Sequence, residues 1–587
     1  MVQTIRDLWP YLRPYRWSFL IAIALIIANS FVATYIPLVP GQVIDTFSDG
    51  TVTTSSVTMS VLALLLAGFG SGFLMVMVRR LVLNSSWVVQ FDIRHEIFKH
   101  FTQLDGAYYD RTRVGDLMAR LTADLNAVRM MVGVGIMQGM STTLLLAVTL
   151  WRMLSLSPSL ALLTLGMAPV ITLSFFFLLR VIHRRYERVQ QQFANISAMA
   201  QENFTGVRVV KGFNLGEREE EDFRTLNNTF IKRNLALVRV DGMIDPLMDF
   251  LFGLTVSFLL LLGGRLVFGI GAELTVGQFT SFVFLFEGIQ WPLIAMGWIL
   301  SVGQRGSTSW HRLRSILAEV PMITDGPNTN FDLRELRGDI EFKNVGLSFG
   351  RLEVLKNLNL TIPEGQAIGF AGRTGSGKTV ITQLLTRLVD PTEGEILVGG
   401  IPLKEYPLSV VRRASGVVPQ EPFLFSDTIA ENITYGVPPL EPDERMRQAR
   451  AAADIAQLTG DVDGFRLGFD TRLGERGVTL SGGQRQRTSI ARALARDPDI
   501  LILDDALSAV DTQTEAAILE GLEEHLANRT TVITAHRVSA FAVCDKIYVI
   551  DDGTVVEQGT HQELVEQDGW YADMDRRQQL EADLEVA

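Results

Sequence analysis

Six apolar stretches occupy the first half of the chain, each close to the roughly 20 residues that a helix needs to cross a bilayer about 30 Å thick. The gaps between them alternate between short and long, and the long gaps keep a helical pattern with few helix breakers. The second stretch and its continuation to about residue 104 therefore predict one helix roughly 70 Å long, at 1.5 Å per residue. The predicted spans lie near residues 17–38, 57–78, 132–151, 160–180, 247–268 and 276–300.

The basic residues predict how these spans are oriented. The long gaps, 79–129 and 180–245, contain 8 and 11 Lys or Arg residues, whereas the short gaps at 45–56, 152–158 and 265–274 contain 0, 1 and 1. Lys and Arg accumulate in cytoplasmic loops. The long gaps and everything after the sixth span are therefore predicted to be cytoplasmic.

The segment ahead of the first span has a mixed pattern. Arg6, Arg13 and Arg16 are interleaved with leucine and aromatic residues. This pattern indicates an amphipathic helix on the cytoplasmic face of the membrane, and nothing in it reads as a cleaved signal.

The second half of the chain is acidic and less apolar. The 587 residues are too many for one core, and 47% of them are hydrophobic, with a mean hydropathy of +0.22. Up to residue 330 there are 27 Lys and Arg against 23 Asp and Glu; the whole chain carries −12, so residues 331–587 carry −16. An acidic domain without a basic stripe argues against nucleic-acid binding.

A stretch rich in helix breakers, Pro321 to Gly338, separates the two halves. It predicts a transmembrane domain at 1–320, a linker at 321–338 and a cytoplasmic domain at 339–587. The single cysteine, Cys544, excludes an intramolecular disulfide and a metal site built from several thiolates.

A glycine-rich loop follows a predicted strand at 366–370. The run Gly372-Arg373-Thr374-Gly375-Ser376-Gly377-Lys378-Thr379 matches G-x-x-x-x-G-K-[ST] at every fixed position. A helix that opens at this loop would direct its N–H groups and its dipole at phosphates. Lys378 would reach the β- and γ-phosphates of ATP, and the Thr379 hydroxyl would bind Mg²⁺. Asp504, at the end of an apolar strand, would hold that ion through its water shell.

A second glycine-rich run, Leu480-Ser481-Gly482-Gly483-Gln484, lies ahead of the apolar strand Ile500-Leu501-Ile502-Leu503-Asp504-Asp505. With the phosphate loop upstream, this order resembles the nucleotide-binding domain of ABC transporters. Six spans and one ATPase on one chain resemble exporters of the multidrug-resistance type, and the ending near 569–581 is similar to bacterial half-transporters that work as unequal pairs. The resemblance implies a membrane all-α domain followed by an α/β P-loop ABC ATPase, in the cell (inner) membrane.

The resemblance also implies roles for single residues. Phe349 lies where the family has an aromatic ring that stacks on adenine, although a core Phe would fit the same pattern. Gln420 resembles the glutamine that contacts Mg²⁺, and His536 the histidine that senses the γ-phosphate. Asp511 would lie across a dimer interface. Two such domains are expected to sandwich two ATPs, each between one subunit's phosphate loop and the Ser481-Gly482-Gly483-Gln484 run of the other.

Two positions depart from the family pattern. Active members have Glu after the Walker B Asp, whereas this chain has Asp505. The missing methylene retracts the carboxylate by about an ångström, and a misplacement of that size can cost about 10²-fold in rate. This half-site is therefore expected to bind ATP and hydrolyse it poorly, with a competent site completed by a partner chain. Arg472 stands where relatives commonly have an acid, so its contacts across the interface are in question.

Two turns at the ends of the cytoplasmic helices, 109–117 and 202–211, are similar to the coupling loops of ABC exporters, although solvated helix ends would also explain their charges. Acids inside a span cost about 2.5–3.5 kcal/mol near its centre, so Asp249 and Glu287 are predicted to face a cavity for cationic substrates. Alternatively, Asp249 lies at the membrane edge and Glu287 pairs with a polar neighbour.

The function predicted from these features is one half of a heterodimeric ABC exporter for amphipathic drugs, lipids or peptides. The alternatives are a homodimeric exporter with slow hydrolysis and a non-transporting, ATP-gated regulator or channel.

Overall fold

The computed structural model describes residues 2–268, 274–474, 477, 479–526 and 529–586. They separate into two compact units. A helical unit contains Met1–Thr102 and Arg113–Glu319, and an α/β unit contains Gln103–Thr112 and Val320–Ala587.

Six helical segments in the helical unit are long and apolar enough to cross a membrane, which confirms the six predicted spans. They include the predicted long second helix, Thr54–Phe101, whose 48 residues reach about 70 Å. The segments are Gln3–Ser48, Thr54–Phe101, Val114–Leu156, Pro158–Thr205, Gly216–Phe268 and Val276–Leu317.

Most of these segments consist of several helices. Five-residue π-helical turns at Arg120–Asp124 and Met131–Gly135 interrupt the third segment, and a 3₁₀ turn at Arg13–Tyr15 interrupts the first. In chain order the helices are α1 Val2–Leu12, α2 Arg16–Tyr35, α3 Leu38–Ser48, α4 Thr54–Phe101, α5 Gly106–Arg111 (in the α/β unit), α6 Val114–Ala119, α7 Leu125–Met130, α8 Ile136–Leu156, α9 Pro158–Thr205, α10 Val207–Gly212, α11 Gly216–Asp241, α12 Ile244–Phe268, α13 Val276–Glu287 and α14 Gln290–Leu317.

The sixth segment breaks between α13 and α14. Thr275 and Gln278 form a capping box that starts α13, and the helix ends at Glu287. Pro292 lacks the N–H that would bond the carbonyl of Gly288, so a continuous helix is disfavoured at this place.

Close contacts between distant segments hold the helical unit together. A Cβ at Gly277 would lie 1.9 Å from the carbonyl oxygen of Gly41, so α3 and α13 approach each other as only glycine allows. Beside this contact, Asp45 accepts hydrogen bonds of 2.7 Å from both Gly277 N and Thr275 Oγ1. An acid at the start of a helix is favourable because the helix dipole is positive there.

The α/β unit contains two sheets. One has four antiparallel strands in the order β2-β1-β4-β5, and the other has six strands in the order β10-β9-β3-β8-β7-β6. The strands are β1 Ile340–Phe349, β2 Leu352–Ile362, β3 Ala367–Gly372, β4 Glu393–Val398, β5 Ile401–Pro402, β6 Ser415–Val418, β7 Ile500–Asp504, β8 Thr530–Thr534, β9 Lys546–Asp551 and β10 Thr554–Gly559. The helices are α15 Lys378–Leu385, α16 Leu408–Ala414, α17 Ile429–Ile433, α18 Pro442–Ile455, α19 Thr459–Asp463, α20 Gly482–Ala495, α21 Thr512–Leu526, α22 His561–Glu566 and α23 Trp570–Val586.

The centre of the six-stranded sheet is parallel. Strand β8 pairs in parallel with both β3 and β7, and all residues of these three strands are buried. Parallel strands are covered on both faces, which explains why even the threonines of β8 are buried. Their carboxyl ends lie along one edge of the sheet, where open α/β sheets bind ligands. The predicted fold class, six membrane helices followed by an α/β ATPase domain, is confirmed.

Candidate functional site

The phosphate loop connects the end of β3 to the start of α15. Gly377 precedes Lys378 with φ = +104°, and Gly372 has φ = +147°. A Cβ at Gly377 would lie 2.8 Å from Leu355 Cδ2 and 3.3 Å from Val354 O, so β2 leaves no room for a side chain there. The loop thereby directs the first N–H groups of α15 outward, in the geometry that favours anions.

Lys378 and Ser376 provide polar atoms inside the loop. Lys378 is 7% exposed, and its ammonium donates to the carbonyl oxygens of Gly372 (2.8 Å) and Arg373 (2.9 Å). Burial lowers the pKa of Lys378, whereas the charges of Asp505 and Asp504 oppose that shift. The buried hydroxyl oxygen of Ser376 has no hydrogen-bond partner in the described chain. A buried cation and an unsatisfied hydroxyl fit the oxygens of a polyphosphate.

Asp504 lies at the end of β7 and is 4% exposed. Its Oδ1 accepts hydrogen bonds from Thr534 Oγ1 (2.6 Å) and Thr379 Oγ1 (3.2 Å), and its Oδ2 accepts from Thr382 Oγ1 at 3.4 Å. Three hydroxyls thus orient this carboxylate next to the phosphate loop. Carboxylate and hydroxyl oxygens are the kind of ligand that Mg²⁺ takes beside bound phosphates.

Asp505 follows with a left-handed backbone, φ = +50°. Its N–H donates to Thr534 O at 2.9 Å and Thr534 Oγ1 at 3.1 Å, which holds the turn against β8. Its Oδ2 accepts a hydrogen bond of 3.1 Å from Gln420 Nε2. Asp505 and Gln420, which resembles the family's Mg²⁺-contacting glutamine, are therefore in direct contact.

His536 and Asp505 both line a cavity of about 230 Å³ at this edge of the sheet. The carbonyl of His536 accepts a hydrogen bond of 2.8 Å from Gln578 Nε2, which connects the histidine turn to α23. Next to it, Arg537 pairs with the buried Glu515 at 2.6 Å and donates to Val510 O at 3.1 Å. The histidine turn and the turn after Asp505 are thus joined through Arg537.

Ser481 and Gln484 form a capping box at the start of α20, with hydrogen bonds of 2.9 and 3.2 Å between them. In the described chain no hydrogen bond joins either residue to the phosphate loop. Gln486, the fifth residue of the same helix, accepts from Ala509 N at 2.8 Å and donates to Ser508 Oγ at 3.1 Å. The glycine-rich run at 480–484, the signature run, is therefore connected through α20 to the turn that follows Asp505.

Sequence reasoning missed Gln486, Thr534 and Arg537. Each is polar and lies within two residues of a motif position, which is the signal that could have found them.

Three predicted residues lie at the surface of the α/β unit. Phe349 ends β1 and is 46% exposed, so its ring is accessible. Asp511 is exposed, and its Oδ1 accepts from Thr514 N at 2.9 Å; this bond at the start of α21 lowers the pKa of Asp511. Arg472 is exposed as well, whereas its neighbours Glu475 and Arg476 lie outside the described residues.

The two acids predicted in the spans are both exposed in the helical unit. Asp249 lies in the second turn of α12, and Glu287 is the last residue of α13, next to the break at Gly288. Neither acid forms an ion pair with another described residue, so the pairing proposed as an alternative for Glu287 is not seen within the described chain.

A phosphate loop, a buried carboxylate at its side and a glycine-rich helix start, on a chain with six membrane-spanning helices, define an ATP-driven membrane transporter of the ABC class. Residues 19–293 match the family model described as "ABC transporter transmembrane region", and residues 355–508 match the one described as "ABC transporter".

Full-length relatives share this architecture. "Multidrug resistance-like ATP-binding protein MdlA" of Escherichia coli (strain K12) is 34% identical over 582 residues, which cover 99% of this chain and 97% of that protein. "ATP-dependent lipid A-core flippase" of Vibrio cholerae is 31% identical, covering 98% of each chain. The solved structure of a bacterial Atm1-family ABC exporter with ATP bound superposes with a TM-score of 0.78 at 26% identity, covering 96% of this chain and 99% of that one. The chain belongs to the ABC transporter family and is an ATP-binding exporter half-transporter of the multidrug-resistance-like type, integral to a membrane.

Proposed function

We propose that this chain is one half of a heterodimeric exporter that uses ATP to move amphipathic drugs, lipids or peptides out of the cell. Two ATPase domains would enclose two ATPs, each between the phosphate loop of one subunit and the Ser481-to-Gln484 run of the other. The relatives named as multidrug-resistance-like and as a lipid A-core flippase support amphipathic substrates. The distribution of Lys and Arg supports a cytoplasmic ATPase in the inner membrane.

The observation that supports unequal ATP sites, one weak and one competent, is the side chain of Asp505. It is one methylene shorter than the family's Glu, and its Oδ2 accepts a hydrogen bond from Gln420 Nε2. A general base must reach the proton that it takes, so a retracted carboxylate activates water poorly. The signature run is intact, with Ser481 at an exposed helix start, so this chain can complete a partner's site.

The other site residues take roles that follow from their positions. Lys378, Ser376 and the N–H groups of α15 would bind the β- and γ-phosphates, and Thr379 and Asp504 would hold Mg²⁺. That ion, when bound, neutralises charge on the transferred phosphate. Gln420, bonded to Asp505, would contact Mg²⁺, and His536, which lines a cavity with Asp505, would sense the γ-phosphate.

The remaining surface residues serve contacts outside this chain. The exposed ring of Phe349 would stack on adenine. Asp511, exposed at the start of α21, would contact the partner ATPase.

The turn at 202–211 supports coupling to a second subunit. Phe204 is 79% exposed and Phe213, just beyond the turn, is 75% exposed, at the end of helices that extend well past the apolar spans. Large apolar side chains at a polar tip indicate a docking surface. The turn at 109–117 supports the same role, because Gln103–Thr112 belongs to the α/β unit and Asp105 accepts from Met322 N (2.6 Å) and Ile323 N (3.1 Å).

The decisive experiment compares Asp505→Asn with Ser481→Ala in the tagged chain, purified from its native membrane with whatever partner accompanies it. In the heterodimer, Asp505→Asn should leave steady-state ATPase within about two-fold of wild type. Ser481→Ala should lower it by about 10²-fold, because it removes a donor from the γ-phosphate in the partner's competent site.

The alternatives give different results. A homodimer has two equivalent sites, so both substitutions would abolish turnover and no second chain would copurify. A regulator or channel would show no ATP-dependent accumulation of amphipathic dyes in sealed vesicles, whatever its ATPase rate.

A further inference from the structure

An apolar cavity of about 320 Å³ lies in the helical unit beside the N-terminal helix. Helices α1, α2, α4 and α8 contribute to its wall, with Leu12, Ala22, Val82 and Met137 among the lining side chains. Among the described residues, Arg16 is the one charged side chain that lines it. The cavity is roughly twice the ~150 Å³ that accommodates a benzene molecule, so it has room for a length of hydrocarbon chain.

The mouth of this cavity is apolar and exposed. Trp9 and Leu20 line it and are each 52% exposed. Both belong to Gln3–Ser48, a segment apolar enough to span a bilayer. In such a segment an exposed apolar rim meets lipid rather than water.

Three arginines surround this region without acidic partners. Arg6, Arg13 and Arg16 are exposed, and none forms an ion pair with another described residue. The guanidinium of Arg16 lies 5.8 Å from the centre of the Trp17 ring, which leaves its N–H donors available.

Three acids near the N-terminal segment have other partners. Asp7 pairs with Arg314 at 2.6 Å. Tyr11 donates to Glu96 at 2.7 Å, and Tyr15 donates to Asp92 at 3.1 Å. These contacts attach α1 and the 3₁₀ turn to the ends of α4 and α14, and none of them uses the guanidinium of Arg6, Arg13 or Arg16.

We propose that this cavity binds one acyl chain of an anionic membrane phospholipid, whose headgroup is held by Arg16. The apolar wall excludes a polar ligand, and the exposed arginines without ion-pair partners among the described residues favour a negatively charged headgroup over a zwitterionic one. A lipid in this position contacts α1, α2, α4 and α8 together. It would therefore fasten the N-terminal helix to the bundle as a structural lipid, in a site separate from the transport route.

The test uses the full-length chain with its copurifying partner in mild detergent, titrated with phosphatidylglycerol or phosphatidylcholine and observed by native mass spectrometry. We expect one phosphatidylglycerol per chain to be retained in preference to phosphatidylcholine. Arg16→Gln should weaken phosphatidylglycerol binding about five-fold, the effect of one basic residue near an anionic lipid surface, and Arg16→Lys should restore most of it. Ile23→Trp, which fills the cavity, should abolish it.

The matched control is Arg184→Gln, which removes an exposed arginine of α9 that does not line the cavity. It should leave phosphatidylglycerol binding unchanged, and retained ATPase activity shows that each variant is folded. Equal retention of the two lipids, unchanged binding in Arg16→Gln, or an equal loss in Arg184→Gln would each overturn the proposal. Displacement of the lipid by a transported dye would assign the cavity to substrate and overturn it as well. None of these outcomes depends on whether the transporter is a heterodimer.

Discussion

At the residue scale, the nucleotide site depends on side chains whose neighbours are fixed by the backbone. Lys378 reaches Gly372 O and Arg373 O because the loop closes tightly between β3 and α15. In the role proposed for it, this ammonium would exchange those carbonyls for phosphate oxygens when the nucleotide enters. Charge-assisted hydrogen bonds of this kind are the strong ones.

Replacing Lys378 with Ala should therefore remove most of the nucleotide affinity of this chain. Hydrogen bonds to charged groups are worth about 1.5–3 kcal/mol, so binding should weaken by about 10- to 100-fold. Photolabelling with 8-azido-ATP, with the label measured on this chain after separation from its partner, reports this site alone. Lys404→Ala, at an exposed lysine in the turn Leu403–Glu405, is the matched control and should label normally. Unchanged labelling of the Lys378 variant would contradict the assignment.

At the element scale, helices carry the contacts that connect motifs. Helix α20 begins at the signature run, and through Gln486 it holds Ser508 and Ala509 of the turn after β7. In the helical unit, α9 and α11 continue past the membrane and support the exposed tip at 202–213. Rigid helices of this length can transmit a displacement from one end to the other with little loss, which is what a coupling element requires.

The double variant Phe204→Ser/Phe213→Ser should uncouple ATP hydrolysis from transport. It removes two exposed aromatic side chains from the tip without disturbing a buried contact, so the protein should fold and keep basal ATPase. ATP-dependent dye uptake into sealed vesicles should fall at least ten-fold. Leu235→Ser, at an exposed position of α11 away from the tip, is the control. If the double variant transported like wild type, the tip would be a solvated helix end.

At the scale of the whole molecule, the proposed function requires a second chain to complete each nucleotide site and the substrate cavity. Ser481 and Gln484 bond each other at the start of α20, and Gln484 Nε2 also donates to Asp461 Oδ1 at 3.1 Å. The described chain places no hydrogen bond between these two residues and its own phosphate loop, which is consistent with a ligand held by another chain. Asp249 and Glu287 are likewise exposed, although they lie within apolar segments. An acid at such a position tends to face water or a partner and to mark a pathway.

Glu287→Gln should lower the transport of cationic dyes while leaving that of neutral ones unchanged. The substitution keeps the size of the side chain and removes its charge, so the cavity no longer attracts a cation. The initial rate of cationic dye transport should therefore fall by about three- to ten-fold. Uptake of a cationic and a neutral dye is compared in sealed vesicles that contain the chain and its partner. Glu335→Gln, outside the spans, serves as the control. Normal uptake of every cationic dye by the Glu287 variant would end this assignment.

Local patterns in the sequence were sufficient to predict the membrane spans and to locate the two glycine-rich motifs. Apolar runs are a local requirement of the bilayer, so the six spans and the long second helix could be predicted from them. The phosphate loop and the signature run are also local, because the backbone geometry that they impose lies within eight or fewer consecutive residues.

The tertiary structure alone decided the contacts between distant segments. Thr379, Thr382 and Thr534 meet at Asp504 because parallel pairing aligns the ends of β7 and β8 and α15 packs beside them. Gln420 reaches Asp505 across 85 residues of sequence, and Gly41 meets Gly277 across more than 200. Such contacts depend on how strands and helices pack rather than on spacing along the chain. The motif residues could therefore be located from the sequence, and their chemistry stays a prediction, whereas the partners that orient each group required the fold.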